Sequence, residues 1–190
     1  MREIASMDPL APCEDLEVSP PAARDRAMVL PDGRRIDVGI EGVVVERLPR
    51  HVDHRGSLIE LLNFEMPFWY EPIVHCEFVV TSPGRIKGWG MHKLGHDRYF
   101  MGSGKTRIVL YDGRVRSPTF ENFGELYFSD ESPGLLRIPA GVWHANQNWG
   151  DTDAQFLIFN TRPYDHAHPD KYRLDPLDGP IKFDWSLRDG

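Results

Sequence analysis

The sequence predicts an all-β fold, a double-sheet jelly roll preceded by an irregular N-terminal arm, and three observations carry that prediction. Ten β-type segments of five to nine residues succeed one another between Val43 and Asn160. Their connectors are built from Gly, Pro, Asp and Ser, the residues that tight turns require. No helical period competes over that span, and the polar tail segment PDKYRLDPLD holds at most one helical turn. So many short strands in one chain of 190 residues are accommodated by two packed sheets.

The elements follow in order. Residues 1–27 read as an arm, because Pro9, Pro12, Pro20 and Pro21 interrupt an acidic stretch without a period. Residues 28–190 form one domain. Within it AMVLPDGRRIDVG (28–40) sets Pro-Asp-Gly between two short β-type runs, a hairpin signal. The strands are then 43–48, 57–62, 73–81, 86–92, 98–102, 106–112, 125–129, 135–139, 142–148 and 154–160. Several are apolar on both faces, AQFLIFN (154–160) most clearly, which suits strands covered on two sides.

Composition excludes several function classes. Hydrophobic residues are 41% and charged residues 27%, as in water-soluble globular proteins. A formal net charge of −7 argues against a general binder of nucleic acid or anionic membrane, although a local basic patch is compatible with a small phosphorylated ligand. Cys13 and Cys76 make neither a disulfide framework nor a zinc site. No stretch approaches the roughly 18 apolar residues of a membrane span. The first residues carry acids and prolines where a signal peptide needs an apolar run, so the expected setting is the cytoplasm.

The chemistry concentrates in two stretches, PGRIKGWGMHKLGHDRYFMGSG (83–104) and IPAGVWHANQN (138–148). Gly84, Gly90-Met91-His92, Asp97 and Gly104 stand in the frame of the first cupin motif, with Gly90 in place of its first His and Asp97 in place of its Glu. Pro139, Gly141, His144 and Asn148 match the second. Together they make the jelly roll resemble a cupin double-stranded β-helix. His51, His54, His75, His166 and His168 have no motif around them and read as surface residues.

A narrower resemblance lies over residues 43–185. VDHRGSLIELLN (52–63), GWGMH (88–92), YDGRVRSPTFENF (111–123), IPAGVWHA (138–145) and IKFDW (181–185) resemble, in order, segments of the dTDP-4-dehydrorhamnose 3,5-epimerase family. That likeness implies a homodimeric sugar-nucleotide epimerase or isomerase that works without a cofactor, taking a proton from carbon beside a C4 ketone. Such chemistry needs a base of near-neutral pKa, for which His is suited. By position the resemblance makes His92 the base and Asp178 its carboxylate partner, with Asp175 as the less well aligned choice. Tyr164 stands near the proton-donor position, which itself falls on Ile158. Arg55, Trp89, Arg98, His144 and Asn146 become substrate contacts, Arg55 across the dimer.

Two other readings rest on the same stretches. His92, Asp97 and His144 form a two-His-one-carboxylate set of the kind that holds Fe or Mn, with His96 as a fourth ligand. A metal-dependent oxygenase or isomerase would follow. The loss of the family Tyr and Lys instead points to a non-catalytic cupin that binds a sugar.

Overall fold

The alternation that makes these strands apolar on two faces is answered by a covering layer on each side of the barrel. A computed structural model describes residues 38–187, all within one unit of the chain. The arm at 1–27 and most of the hairpin at 28–40 lie outside the described residues. The described residues contain twelve strands: β1 (Val44–Arg47), β2 (His51–Asp53), β3 (Gly56–Leu58), β4 (His75–Thr81), β5 (Ile86–Met91), β6 (Asp97–Ser103), β7 (Thr106–Asp112), β8 (Phe123–Phe128), β9 (Gly134–Ile138), β10 (Val142–Asn148), β11 (Ala154–Asn160) and β12 (Tyr172–Arg173). They form two five-stranded antiparallel sheets, β1-β9-β6-β11-β4 and β12-β5-β10-β7-β8, with β2-β3 as a separate hairpin. This is the expected jelly roll. No helix of the described residues is long and apolar enough to cross a membrane.

Three clusters explain the patterning. Between the sheets, Tyr99, Met101, Phe156 and Ile158 of the first face Ile108, Leu110, Leu126 and Val142 of the second. Behind the first sheet, Phe68 and Trp69 of a 3-10 turn (Pro67–Trp69) pack on Leu135, Phe100 and Phe159. Behind the second, Ile181, Phe183 and Trp185 of the tail pack on Trp89, Val109 and Ala145. Both faces of the central strands are therefore removed from water, which is why their side chains are apolar at successive positions.

Two expected elements come out differently. Of the strand expected at 57–62, only Ser57 and Leu58 pair, with β2. Beyond them Ile59 and Leu61 turn inward and Leu58 and Leu62 outward, so the period of two persists without a ladder partner. Alternation reports which face is buried, and it is blind to whether a neighbouring strand exists. In the tail a single turn forms at 175–179, closed by the Gly179 N–H on the Asp175 carbonyl, and before it Tyr172 and Arg173 pair with Met91 and Gly90 of β5. That short strand carries the residue just before it, Lys171, to the level of His92.

Candidate functional site

Strand alternation decides which side chains reach the space between the sheets. On β10, His144 and Asn146 point inward, while Trp143 and Ala145 join the outer cluster. On β6, Asp97 and Tyr99 point inward and Arg98 outward. His92 follows the last residue of β5. Gly88 lets β5 lie against β10 where their register shifts: a Cβ there would fall 2.2 Å from that of Ala145, and φ is +150°. The result is a cavity of about 770 Å³, open at one end of the jelly roll.

At its floor three groups converge. His92 Nε2 lies 3.5 Å and His144 Nε2 3.4 Å from Asp97 Oδ2. Asp97 is 3% exposed, and its other oxygen accepts a hydrogen bond from the Asn160 amide. The His144 ring approaches the Val142 carbonyl through Nδ1 at 3.3 Å, which leaves its buried Nε2 without a hydrogen bond. Burial pushes the Asp97 carboxyl above its ordinary range, against the pull of the nearby His92 and Lys171 charges. Burial also drives His144 well below the usual histidine value, helped by the same Lys171. Burial thus works against a charge on Asp97 and on His144 alike.

Lys171 completes the group. Its Nζ is 3.0 Å from His92 Nε2. Burial lowers its pKa, with the Asp97 charge acting in the other direction. Asp170 beside it accepts the N–H groups of Lys93, Leu94 and Gly95 and so holds the turn that follows His92. Gly90 is what gives Lys171 room. A Cβ at position 90 would lie 3.2 Å from both Lys171 Nζ and His144 Nε2.

The structure brings together four of the residues expected from sequence, His92, Asp97, His144 and Asn146. Asn146 lines the cavity and donates to Thr81. Tyr164 stands at the rim, 39% exposed, with its ring over His75. Three expectations need correction. Asp178 is exposed in a turn where its backbone N–H, like that of Leu177, is held by Asp175; Asp97 is the carboxylate nearest His92. Trp89 borders the cavity, but its indole is fully buried behind the second sheet against Phe183 and Trp185. Arg98 points behind the first sheet, where it donates to the carbonyls of Glu71 and Pro72 over the Trp69 ring. Arg55 is at the tip of the β2–β3 hairpin, paired with Asp53 and outside the lining of this cavity.

His96, expected as a fourth ligand, bonds Glu71 at the cavity wall and is not part of the His92–Asp97–His144 group. Other lining residues escaped sequence reasoning. His75, read as a surface residue, is half-buried beside Glu77. Lys87, Arg162, Lys171 and Arg173 also border the space, alongside the acids Glu77, Asp97, Asp165 and Asp170. The inward positions of β11, Phe156, Ile158 and Asn160, were readable from its alternation. Lys171 had no such signal, because nothing in the tail pattern announces its pairing with β5.

The set His92, Asp97 and His144 offers donor atoms within 4.8 Å of one another, a spacing that suits a divalent ion. The Lys171 amine stands against that fit. Its Nζ, 3.0 Å from His92 Nε2, occupies the approach to the nitrogen that an ion would need.

Comparison with known proteins agrees with this architecture. The sequence pattern of the polysaccharide biosynthesis C-terminal domain family matches residues 51–172. The spore coat polysaccharide biosynthesis protein SpsL of Bacillus subtilis is 33% identical over 77% of this chain and 97% of its own. The probable low-salt glycan biosynthesis epimerase Agl13 of Haloferax volcanii is 28% identical over 77% and 95%. Among solved structures, a dTDP sugar isomerase from Desulfovibrio desulfuricans superposes with a TM-score of 0.73 at 28% identity, covering 81% of this chain and 97% of that one. With its cupin fold and histidine-floored cavity, the chain belongs to the polysaccharide biosynthesis C-terminal domain family, as a divergent member of the dTDP-4-dehydrorhamnose 3,5-epimerase-like enzymes that act on carbohydrates.

Proposed function

We propose that this protein epimerises or isomerises a nucleotide sugar that carries a keto group, with His92 as general base and no metal cofactor. The observation that carries the reading is the convergence of His92, His144 and Asp97 on the floor of a cavity bordered by Lys87, Arg162 and Arg173. The floor suits a proton transfer, and the Lys87, Arg162 and Arg173 side chains offer donors to a diphosphate among the acids Glu77, Asp165 and Asp170 of the same border. In the reaction the C–H bond beside the carbonyl breaks, its proton passes to His92 Nε2, and the electron pair moves into an enolate. A proton then returns to the opposite face of that carbon, or to the neighbouring carbon if the keto group migrates.

The returning proton needs a donor. Ile158 cannot supply one, and Tyr164 reaches only the rim. Tyr99 is the cross-strand partner of Ile158, lines the cavity and packs edge-on against His144. It is the better placed phenol. A homodimer in the cytoplasm belongs to the same reading, supported by exposed Val52 and Leu58 on the hairpin and Phe78 on the edge strand β4. Arg55 on that hairpin would then reach a neighbouring cavity.

Incubation in deuterium oxide with a series of 4-keto sugar nucleotides tests the chemistry. Solvent deuterium is expected beside the ketone with the wild type, and about 10²–10⁴ times more slowly with His92→Ala. Exchange by the wild type no faster than by His92→Ala, across the series, would overturn the proposal.

A further inference from the structure

The His92–Asp97–His144 floor has the donor set of a metal centre and yet holds an amine. We infer that the Lys171 ammonium is the resident cation of this site: it stands in the place of a divalent ion, covers the lone pair of His92 in the resting enzyme, and donates to the substrate carbonyl oxygen once the sugar binds. The catalytic half of this inference rests on the function proposed above; the half concerning metal does not.

Three observations carry it. Lys171 Nζ lies 3.0 Å from His92 Nε2, and an ammonium has donors only, so the imidazole nitrogen is the acceptor. The lone pair that a metal would require is therefore engaged. Next, Gly90 occupies the position at which the cupin pattern places a first histidine. A Cβ there would press on Lys171 Nζ and His144 Nε2, each 3.2 Å away, so a side chain at 90 would displace the end of the lysine by at least a few tenths of an ångström. Finally, the lysine is delivered by a dedicated element. The register Tyr172↔Met91 and Arg173↔Gly90 continues to Lys171 beside His92, and Asp170 fastens the adjoining turn through three backbone N–H groups.

The geometry makes the amine more than a plug. An ammonium has three N–H donors, and one of them serves His92. When a carbonyl oxygen enters, the lysine turns its donor from the ring nitrogen to that oxygen. The same movement frees the base and supplies positive charge where the enolate develops, so base and cation are coupled in one step. Atoms balance without any further reagent: the substrate proton goes to His92, and the electron pair to the oxygen that Lys171 faces.

The full-length protein decides both halves. Lys171→Met keeps the buried stem and removes the charge, and Lys171→Ala opens the space. Cobalt(II) is titrated into each at neutral pH after chelator treatment and dialysis, and the visible d–d absorption is recorded. The wild type is expected to give no band, and Lys171→Ala a band saturating at about one ion per chain, lost again in the Lys171→Ala/His144→Ala double variant. A wild type that takes up cobalt as well as Lys171→Ala does, or a Lys171→Ala protein without a band, overturns the resident-cation assignment. For the catalytic half, Lys171→Met is expected to exchange deuterium into a 4-keto sugar nucleotide about 10²–10³ times more slowly, mostly in kcat. Unchanged exchange in that variant refutes the carbonyl role. If the wild type itself exchanges with no sugar, the proposed function fails while the cobalt result still decides the place of Lys171.

Discussion

Two buried aspartates, one in each sheet of this protein, have opposite surroundings. Asp112, at the end of β7, accepts the backbone N–H and side-chain N–H groups of Arg114 and the hydroxyls of Ser117 and Thr119, at 2.6–3.0 Å. Arg114 in turn donates to the Glu41 carbonyl, and the Glu41 N–H donates to Thr119. Burial alone would raise this carboxyl, but the bonds from Arg114, Ser117 and Thr119 bring it well below its ordinary range. Asp97, on the cavity floor, has one hydrogen-bond donor in Asn160 and two histidine nitrogens at 3.4–3.5 Å, and burial leaves its carboxyl raised. The first is a saturated network and the second an under-saturated one. A saturated network has nothing left to offer a ligand and stabilises one conformation; the other retains binding capacity at a cost to the fold. Notably, the segment most specific in its resemblance, DGRVRSPTF, is the structural one.

Breaking the saturated network has the largest expected effect. Asp112→Ala leaves the Arg114 charge without its counter-charge and takes the shared acceptor from the Ser117 and Thr119 hydroxyls, and should lose about 3–5 kcal/mol in urea unfolding. A loss under 1 kcal/mol would remove the distinction between the two sites. The contrast also has a pH signature. The native state releases the Asp112 proton more readily than the unfolded chain, so its contribution is present above the ordinary carboxylate pKa of about 4 and is lost as pH falls toward the depressed native value. Asp97 has the opposite sign: stability is highest below that pKa and falls as pH rises through the window up to its raised native value. Acid unfolding of wild type, Asp112→Ala and Asp97→Asn should separate the two slopes.

Smaller effects sharpen the boundary between packing and site. Arg98→Met strands the carbonyls of Glu71 and Pro72 and should cost about 1–3 kcal/mol, with deuterium exchange at the wild-type rate. A large fall in exchange without loss of stability would return Arg98 to the site. Asp97→Asn should change stability by no more than about 1 kcal/mol in either direction, because an amide oxygen can still accept from Asn160. Its effect is expected in exchange kinetics instead. A loss of stability matching that of Asp112→Ala would show that both aspartates are structural.

The sequence by itself determined the jelly roll, the inward face of most strands and three of the four floor groups. His92, Asp97 and His144 lie on or beside strands whose period of two fixes side-chain direction, and their motif frames are local in sequence. Arg98 and Trp89 show the limit of motif adjacency. Each is next to an inward residue, and strand geometry therefore turns each outward, into the layers of Trp69 and of Phe183. Lys171 shows a different limit. Its place depends on the pairing of two residues with an edge of β5, a contact spanning roughly eighty positions that no local pattern encodes. The tail that carries this pairing also buries Ile181, Phe183 and Trp185 behind the second sheet, which holds it in place. Tertiary burial, not the motif, brings the cation to the histidines.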